Sequence, residues 1–226
     1  GKHLADAGCT VYGPRLPGHA TNHRDMARQR WQDWYTTVED ALGILRAQCE
    51  RVFVVGHSMG GMLGLLLAAN APVDGLVALA TPVLFTNRSM AAAHWAKWLR
   101  PYTDQTDTSA LIQIILDEQA RRGENAVGRV RHNLWSTAAV GELFALAGIV
   151  REQLPKVDVP LMLVYSEADK TVSLANRDLI LARVKTQTVK QHTLKNSDHI
   201  LPQDSERETV FQLVADFINR YSNPTP

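Results

Sequence analysis

A chain of 226 residues is long enough for one α/β domain, and at 25.1 kDa it buries roughly 70% of its unfolded surface, enough for one real core. Hydrophobic residues make up 45% and charged residues 21%, which excludes a disordered chain, a collagen-like repeat and a disulfide-rich miniprotein. The 24 Lys and Arg balance 23 Asp and Glu with no basic block, so neither nucleic acid nor an anionic membrane is expected as a partner.

Two cysteines, Cys9 and Cys49, make no disulfide framework and are expected as reduced thiols in a cytoplasmic protein. No apolar run approaches the ~18 residues that span a bilayer. The sequence begins at Gly1 without a methionine or a charged-then-apolar stretch, so any signal segment is expected to have been removed or never present.

From the start, His3 to Gly8 reads as a helix end closed by Gly8, and Cys9 to Tyr12 as a strand. The Pro- and Gly-rich segment 13–19 is a loop. Apolar residues at Trp31, Trp34, Tyr35, Val38, Leu42 and Leu45 recur with helical spacing, predicting an amphipathic helix over Trp31 to Gln48 that packs on a sheet. Arg51 to Val55 is a short apolar strand, followed by a tight turn and an Ala- and Leu-rich helix from Met59 to Asn70.

Gly75 to Ala80 is another apolar run without alternation, as expected of a parallel strand buried on both faces. From Pro82 to Leu154 only helical stretches are found, near Ser89 to Leu99, Thr108 to Arg122 and Thr137 to Val150, which predicts an all-helical insertion. Strands resume at Leu161 to Tyr165 and Thr188 to Leu194, separated by a helix from Leu174 to Val184, and a helix from Gln203 to Tyr221 closes the fold. Strand and helix alternating in this way imply a doubly wound, mostly parallel sheet. Residues 1–82 and 155–226 form the expected core and 83–154 the insertion.

The strongest chemical signal is Gly56-His57-Ser58-Met59-Gly60, placed between a strand and a helix and followed by Gly61. A serine in such a turn is held in a strained conformation at a helix N-terminus, where developing negative charge is favoured, and the glycines let strand and helix approach. A serine hydroxyl is a weak nucleophile, so it needs a base and a third group to orient that base. In this arrangement the acid and then the histidine follow the serine, each in a loop past a strand end. Of the 8 histidines, His199 has that position, because His192 falls inside a strand and His94 and His132 in the insertion. Asp169 is the matching acid. Glu167 competes with it, and Asp198 is disfavoured because adjacent side chains in an extended loop point apart.

These features together resemble the α/β-hydrolase superfamily, and within it the bacterial carboxylesterase and monoacylglycerol lipase group. The resemblance runs through Leu16-Pro17-Gly18-His19, the Ser58 turn, Ala80-Thr81-Pro82, the Asp169 loop and Ser197-Asp198-His199. It implies a Ser58, Asp169, His199 triad that cleaves carboxylic esters without metal or organic cofactor, with the Met59 main-chain N–H as one oxyanion donor. His19 is expected to brace its loop or touch substrate. Residues 83–154 match the position of the family's cap, in which Trp95, Trp98, Tyr102, Leu111, Ile114, Trp135, Leu143, Phe144 and Leu146 would suit an acyl chain or simply pack the cap; His57 is a further candidate for substrate contact.

With a near-neutral surface, the expected substrate is a small uncharged ester with a medium or long acyl chain. The same triad also serves thioester or carbon-carbon bond hydrolysis, and a non-catalytic ligand-binding protein on this scaffold is a third reading. The family carries, ahead of the strand matching Cys9 to Tyr12, an apolar strand ending in a His-Gly motif. That motif is absent here, so the N-terminal strands are expected to be lacking, and with them the second oxyanion donor. A gap one strand wide is expected between Cys9 to Tyr12 and Arg51 to Val55.

Overall fold

The structure, a computed structural model, describes residues 1–85, 101–104, 108–125 and 134–222. In chain order the elements are α1 (Lys2–Asp6), α2 (His23–Met26), α3 (Trp31–Arg46), β1 (Phe53–His57), α4 (Met59–Asn70), β2 (Gly75–Leu79), β3 (Tyr102–Asp104), α5 (Thr108–Arg121), β4 (Leu134–Ser136), α6 (Thr137–Gln153), β5 (Leu161–Ser166), α7 (Ala175–Arg183), β6 (Val189–Leu194) and α8 (Arg207–Ser222). The main sheet is parallel throughout, in the order β1-β2-β5-β6.

Burial follows that order. Every residue of the central strands β2 and β5 is buried, which is why both read as unbroken apolar runs. Successive side chains of β2 supply opposite faces: Leu76 and Ala78 pack toward α4 and α6, while Val77 and Leu79 pack against Val210, Val214 and Phe217 of α8. Helices on both faces make the sheet doubly wound. In the edge strand β6, Lys190, Gln191 and Thr193 are exposed and only Leu194 is buried, so its sequence is mostly polar instead.

The helix α4 is apolar on every side, and Met62 to Ala68 are all buried between the sheet and the helices that cover it. Here the expectation for α3 needs correction. It packs on α4 and α6 rather than directly on the sheet, and a cavity of about 240 Å³ lined by Val38, Leu42, Val54 and Gly56 separates it from β1. Trp34, 1% exposed, anchors α3 and donates its indole N–H to the Pro17 carbonyl at 3.1 Å.

Cys9 to Tyr12, expected as a strand, pairs with no strand of the sheet. Its β-favouring residues leave the chain without a ladder because a ladder needs a partner within hydrogen-bond reach. Between this segment and β1 lies a cavity of about 400 Å³, and Val11, Tyr12 and Val55 beside it are 41%, 48% and 40% exposed. β1 is therefore an edge on that side among the described residues.

The described part of residues 83–154, expected to be an all-helical insertion, is not all-helical. β3 and β4 form a two-stranded antiparallel sheet, each too short, at three residues, to show a periodicity. The helix expected at Ser89 to Leu99 lies outside the described residues. Helix α6 joins the main core through Leu146, Ala147 and Val150. The last helix begins at Arg207 rather than Gln203, because residues 201–206 turn and use the Asp204 and Glu206 side chains to bind main-chain amides of the preceding loop. No helix among the described residues is long and apolar enough to cross a membrane.

Leu163 is fully buried in β5 at the centre of this arrangement. Truncation to alanine leaves a cavity between the sheet and the helices, so Leu163→Ala is expected to lose about 2–5 kcal/mol of unfolding free energy, read from the shift of a urea denaturation midpoint.

Candidate active site

The site begins where β1 runs into α4. Ser58 joins them at φ 55° and ψ −119°, a conformation that costs a non-glycine residue about 1–3 kcal/mol and persists because its surroundings dictate it. Its amide donates to the Leu79 carbonyl of β2 at 2.8 Å, and its own carbonyl accepts from Gly61 and Met62 in the first turn of α4. The glycines act as expected in part. A Cβ on Gly56 would meet the Gly60 carbonyl oxygen at 2.2 Å, and one on Gly61 would meet Thr81 Oγ1 at 1.8 Å, whereas one on Gly60 would meet nothing within 4 Å. Gly60 matters for the closeness of its backbone, and Gly61 fulfils the spatial need that the motif suggests for Gly60.

Asp169 lies in the turn after β5. Its Oδ1 accepts the amides of Thr171 at 2.7 Å and Val172 at 2.8 Å, leaving Oδ2 for the Nδ1 of His199 at 3.0 Å. The Nε2 of His199 is 3.0 Å from Ser58 Oγ. A carboxylate can only accept, so Nδ1 carries a proton and Nε2 is left to accept from the serine hydroxyl. The Asp169 side chain is fully buried and that of His199 nearly so. Three residues from three loops, at positions 58, 169 and 199, thus form one continuous hydrogen-bonded chain at the C-terminal ends of parallel strands. The Met59 N–H, at the first residue of α4, has no acceptor among the described residues and lies beside the serine.

The loop that carries His199 has no strand partner and is held by acids. Glu206 accepts the amides of Lys195, Asn196 and Ser197 and the Ser197 hydroxyl, Asp204 accepts the Asp198 amide at 2.7 Å, and the Ser166 hydroxyl donates to the Ser197 carbonyl. Burial raises the Glu206 carboxyl, but this ring of donors outweighs it and holds the group below the usual carboxylate range. Nothing in the sequence pointed to Glu206 or Asp204, since their partners lie six to eleven residues earlier in a segment without regular structure.

The other sequence candidates fall in varied places. Glu167 is exposed. The carboxylate of Asp198 accepts the main-chain amide of His199, not its ring. His57 Nε2 is 2.7 Å from the His199 carbonyl oxygen. His19 Nδ1 is 3.3 Å from the Pro17 carbonyl oxygen, and its ring meets Trp34 edge-on. Phe144 packs near Phe85 with ring centroids 6.0 Å apart, Tyr102 meets His23, and Trp135 is 43% exposed. Leu143 is partly buried against the main core, Leu146 is fully buried in it, and Ile114 is half-buried. Trp95 and Trp98 lie outside the described residues, and the side chain of Leu111 is likewise not described. Among the described residues no group of three or more His, Cys, Asp or Glu is placed to share a metal ion.

Burial raises the Asp169 carboxyl, yet the hydrogen bond and charge of His199 and the Val172 and Thr171 amides outweigh it, and its pKa lies below the ordinary 3.8. A carboxyl whose pKa is lower in the folded state contributes stability above the unfolded value and loses it as the pH falls through the folded one. The melting-temperature deficit of Asp169→Asn relative to the wild type is therefore expected to be full near neutral pH and to shrink below pH 3.8. A deficit that stays constant down to the lowest pH at which both proteins fold would show that ionisation of Asp169 contributes nothing.

The chain is similar to several characterised proteins. It is 27% identical over 96% of its length to the thermostable monoacylglycerol lipase of Bacillus sp. (strain H-257), covering 82% of that protein. It is 22% identical over 97% of its length to a carboxylesterase of Bacillus subtilis (strain 168), covering 85% of it. Among solved structures, one described for the metagenome-derived lipolytic enzymes LipS and LipT matches with a TM-score of 0.84 at 23% identity, over 97% of this chain and 85% of that one. Residues 1–206 match the Hydrolase_4 family, described as serine aminopeptidase S33, and with nearly its whole length inside that match the chain belongs to this family of α/β-hydrolases.

Proposed function

We propose that this hydrolase cleaves carboxylic esters through an acyl-enzyme on Ser58. The observation that carries the reading is the imidazole of His199, 3.0 Å from Ser58 Oγ on one side and 3.0 Å from Asp169 on the other. Ser58 Oγ attacks the ester carbonyl as Nε2 of His199 takes its proton, and the Met59 N–H donates to the oxygen on which negative charge develops. The new imidazolium returns that proton to the departing alcohol. Water then attacks the acyl-enzyme with His199 again as base, releasing the acid and restoring the serine. Asp169 holds the tautomer and stabilises the imidazolium throughout.

Support for an ester comes from the names of the two Bacillus relatives, a lipase and a carboxylesterase. The near-zero net charge, and the pairing of Phe85 with Phe144 where the insertion leaves the core, suit an uncharged ester with a medium or long acyl chain, the insertion acting as a cap over residues 83–154. The two unbridged cysteines suit a reducing compartment such as the cytoplasm.

Turnover of p-nitrophenyl esters of increasing chain length, beside an acyl thioester, tests the reading. Esters are expected to be the better substrates, with kcat/KM rising from acetate toward longer chains, and a fluorophosphonate is expected to label Ser58. Ser58→Ala should lose at least about 10⁴-fold in kcat. Folded wild-type protein that neither labels nor turns over any ester would overturn it.

A further inference from the structure

Besides the side-chain triad, the main chain of His199 is held from two sides. Its N–H donates to Asp198 Oδ1 at 2.7 Å, and the same oxygen accepts the amide of Lys170, the residue after Asp169, at 3.1 Å. Its carbonyl oxygen lies 2.7 Å from Nε2 of His57, the residue before Ser58. A carbonyl only accepts, so His57 donates. The two imidazole rings are 5.0 Å apart, tilted by 46°.

The N–H and C=O of one residue bracket its Cα. Fixing both sets the position of that Cα and the direction of its Cα–Cβ bond, and hence where the imidazole can reach. That constraint is needed here because the segment after the edge strand β6 has no ladder partner, and the ring must satisfy Ser58 and Asp169 together. We infer that His57 and Asp198 are positioning residues that clamp the His199 main chain, one to the nucleophile turn and the other to the acid loop. The Asp198 amide in turn donates to Asp204, which seats the clamp on the turn before α8. The inference rests on the ester-hydrolase reading for its kinetic consequence but not for its geometry.

Two pairs of variants isolate the hydrogen bonds. His57→Gln keeps a donor at the same reach and His57→Met removes it; Asp198→Asn keeps the accepting Oδ1 and Asp198→Ala removes it. Displacing a catalytic group by an ångström costs up to about 100-fold, so H57M and D198A are each expected to lower kcat about 30-fold with KM within about twofold, while H57Q and D198N stay within about threefold of the wild type. The rate of fluorophosphonate labelling should follow kcat, and thermal unfolding is recorded for each protein. In a readout that needs no turnover, the His199 Nδ1–H proton resonance, held by Asp169, is expected to persist in H57Q and D198N and to be lost to solvent exchange in H57M and D198A. The clamp is overturned if folded H57M and D198A keep kcat within twofold, if H57Q and D198N lose as much as H57M and D198A, or if the resonance survives in all four. Should D198A fail to fold, the His57 pair decides alone. Wild-type protein that shows the resonance but neither labels nor hydrolyses esters would sink the ester reading and leave the clamp to be judged by the resonance.

Discussion

Close approach of backbone to backbone at the start of α4 is the constraint on which the rest of the site depends. Gly56 lets the end of β1 touch the Gly60 carbonyl, and Gly61 lets the helix lie against Thr81 beyond β2. With strand and helix forced this near, the one residue between them must turn at positive φ, and Ser58 does so with its amide tied to β2. The strain is small beside the burial that enforces it, since the helix that follows is covered on every side. The hydroxyl is thereby fixed before any substrate arrives.

Parallel pairing then brings the other two groups to the same edge. β1, β2, β5 and β6 all run in one direction, so the turns after β1, β5 and β6 open at one end of the sheet, although the serine lies more than a hundred positions from the acid and the histidine in the chain. The sheet brings them close, and hydrogen bonds decide the final placement. Buried Tyr165, whose phenol is pushed up by desolvation, donates to the Thr81 carbonyl, and buried Asn176 of α7 accepts the amides of Val83 and Leu84, so the segment that follows β2 is tied both to β5 and to α7.

Acidic side chains do much of this work through main-chain amides rather than through cations. Asp169, Asp198, Asp204 and Glu206 each accept at least one backbone N–H near the site. Charge-assisted bonds to amides are strong and directional, and they order irregular loops that offer no ladder. A loop built this way holds one histidine accurately without having to be part of the sheet.

Much of this was readable in the order of residues. The strand, the Gly-His-Ser-Met-Gly-Gly turn and the helix after it are local, and the buried strands β2 and β5 declare themselves as unbroken apolar runs because both of their faces are covered. Asp169 and His199 could be singled out because each follows a strand end, and strand ends are local signals. Other features needed the folded chain. The three-residue strands β3 and β4 are too short to carry a pattern, Cys9 to Tyr12 is β-favouring yet unpaired, and α3 meets helices where an amphipathic face alone suggested a sheet. Asp198 shows the difference most clearly. Sequence adjacency disfavoured it as partner of the His199 ring, which instead meets Asp169; only the tertiary structure showed that its carboxylate takes the His199 main-chain N–H together with that of Lys170, because the two loops meet only when β5 and β6 pair. Local sequence thus pointed to the residues that form the Ser58, His199, Asp169 hydrogen-bonded chain, and long-range strand pairing decided what holds them in place, since hydrogen bonds between distant loops leave no periodic trace along the chain.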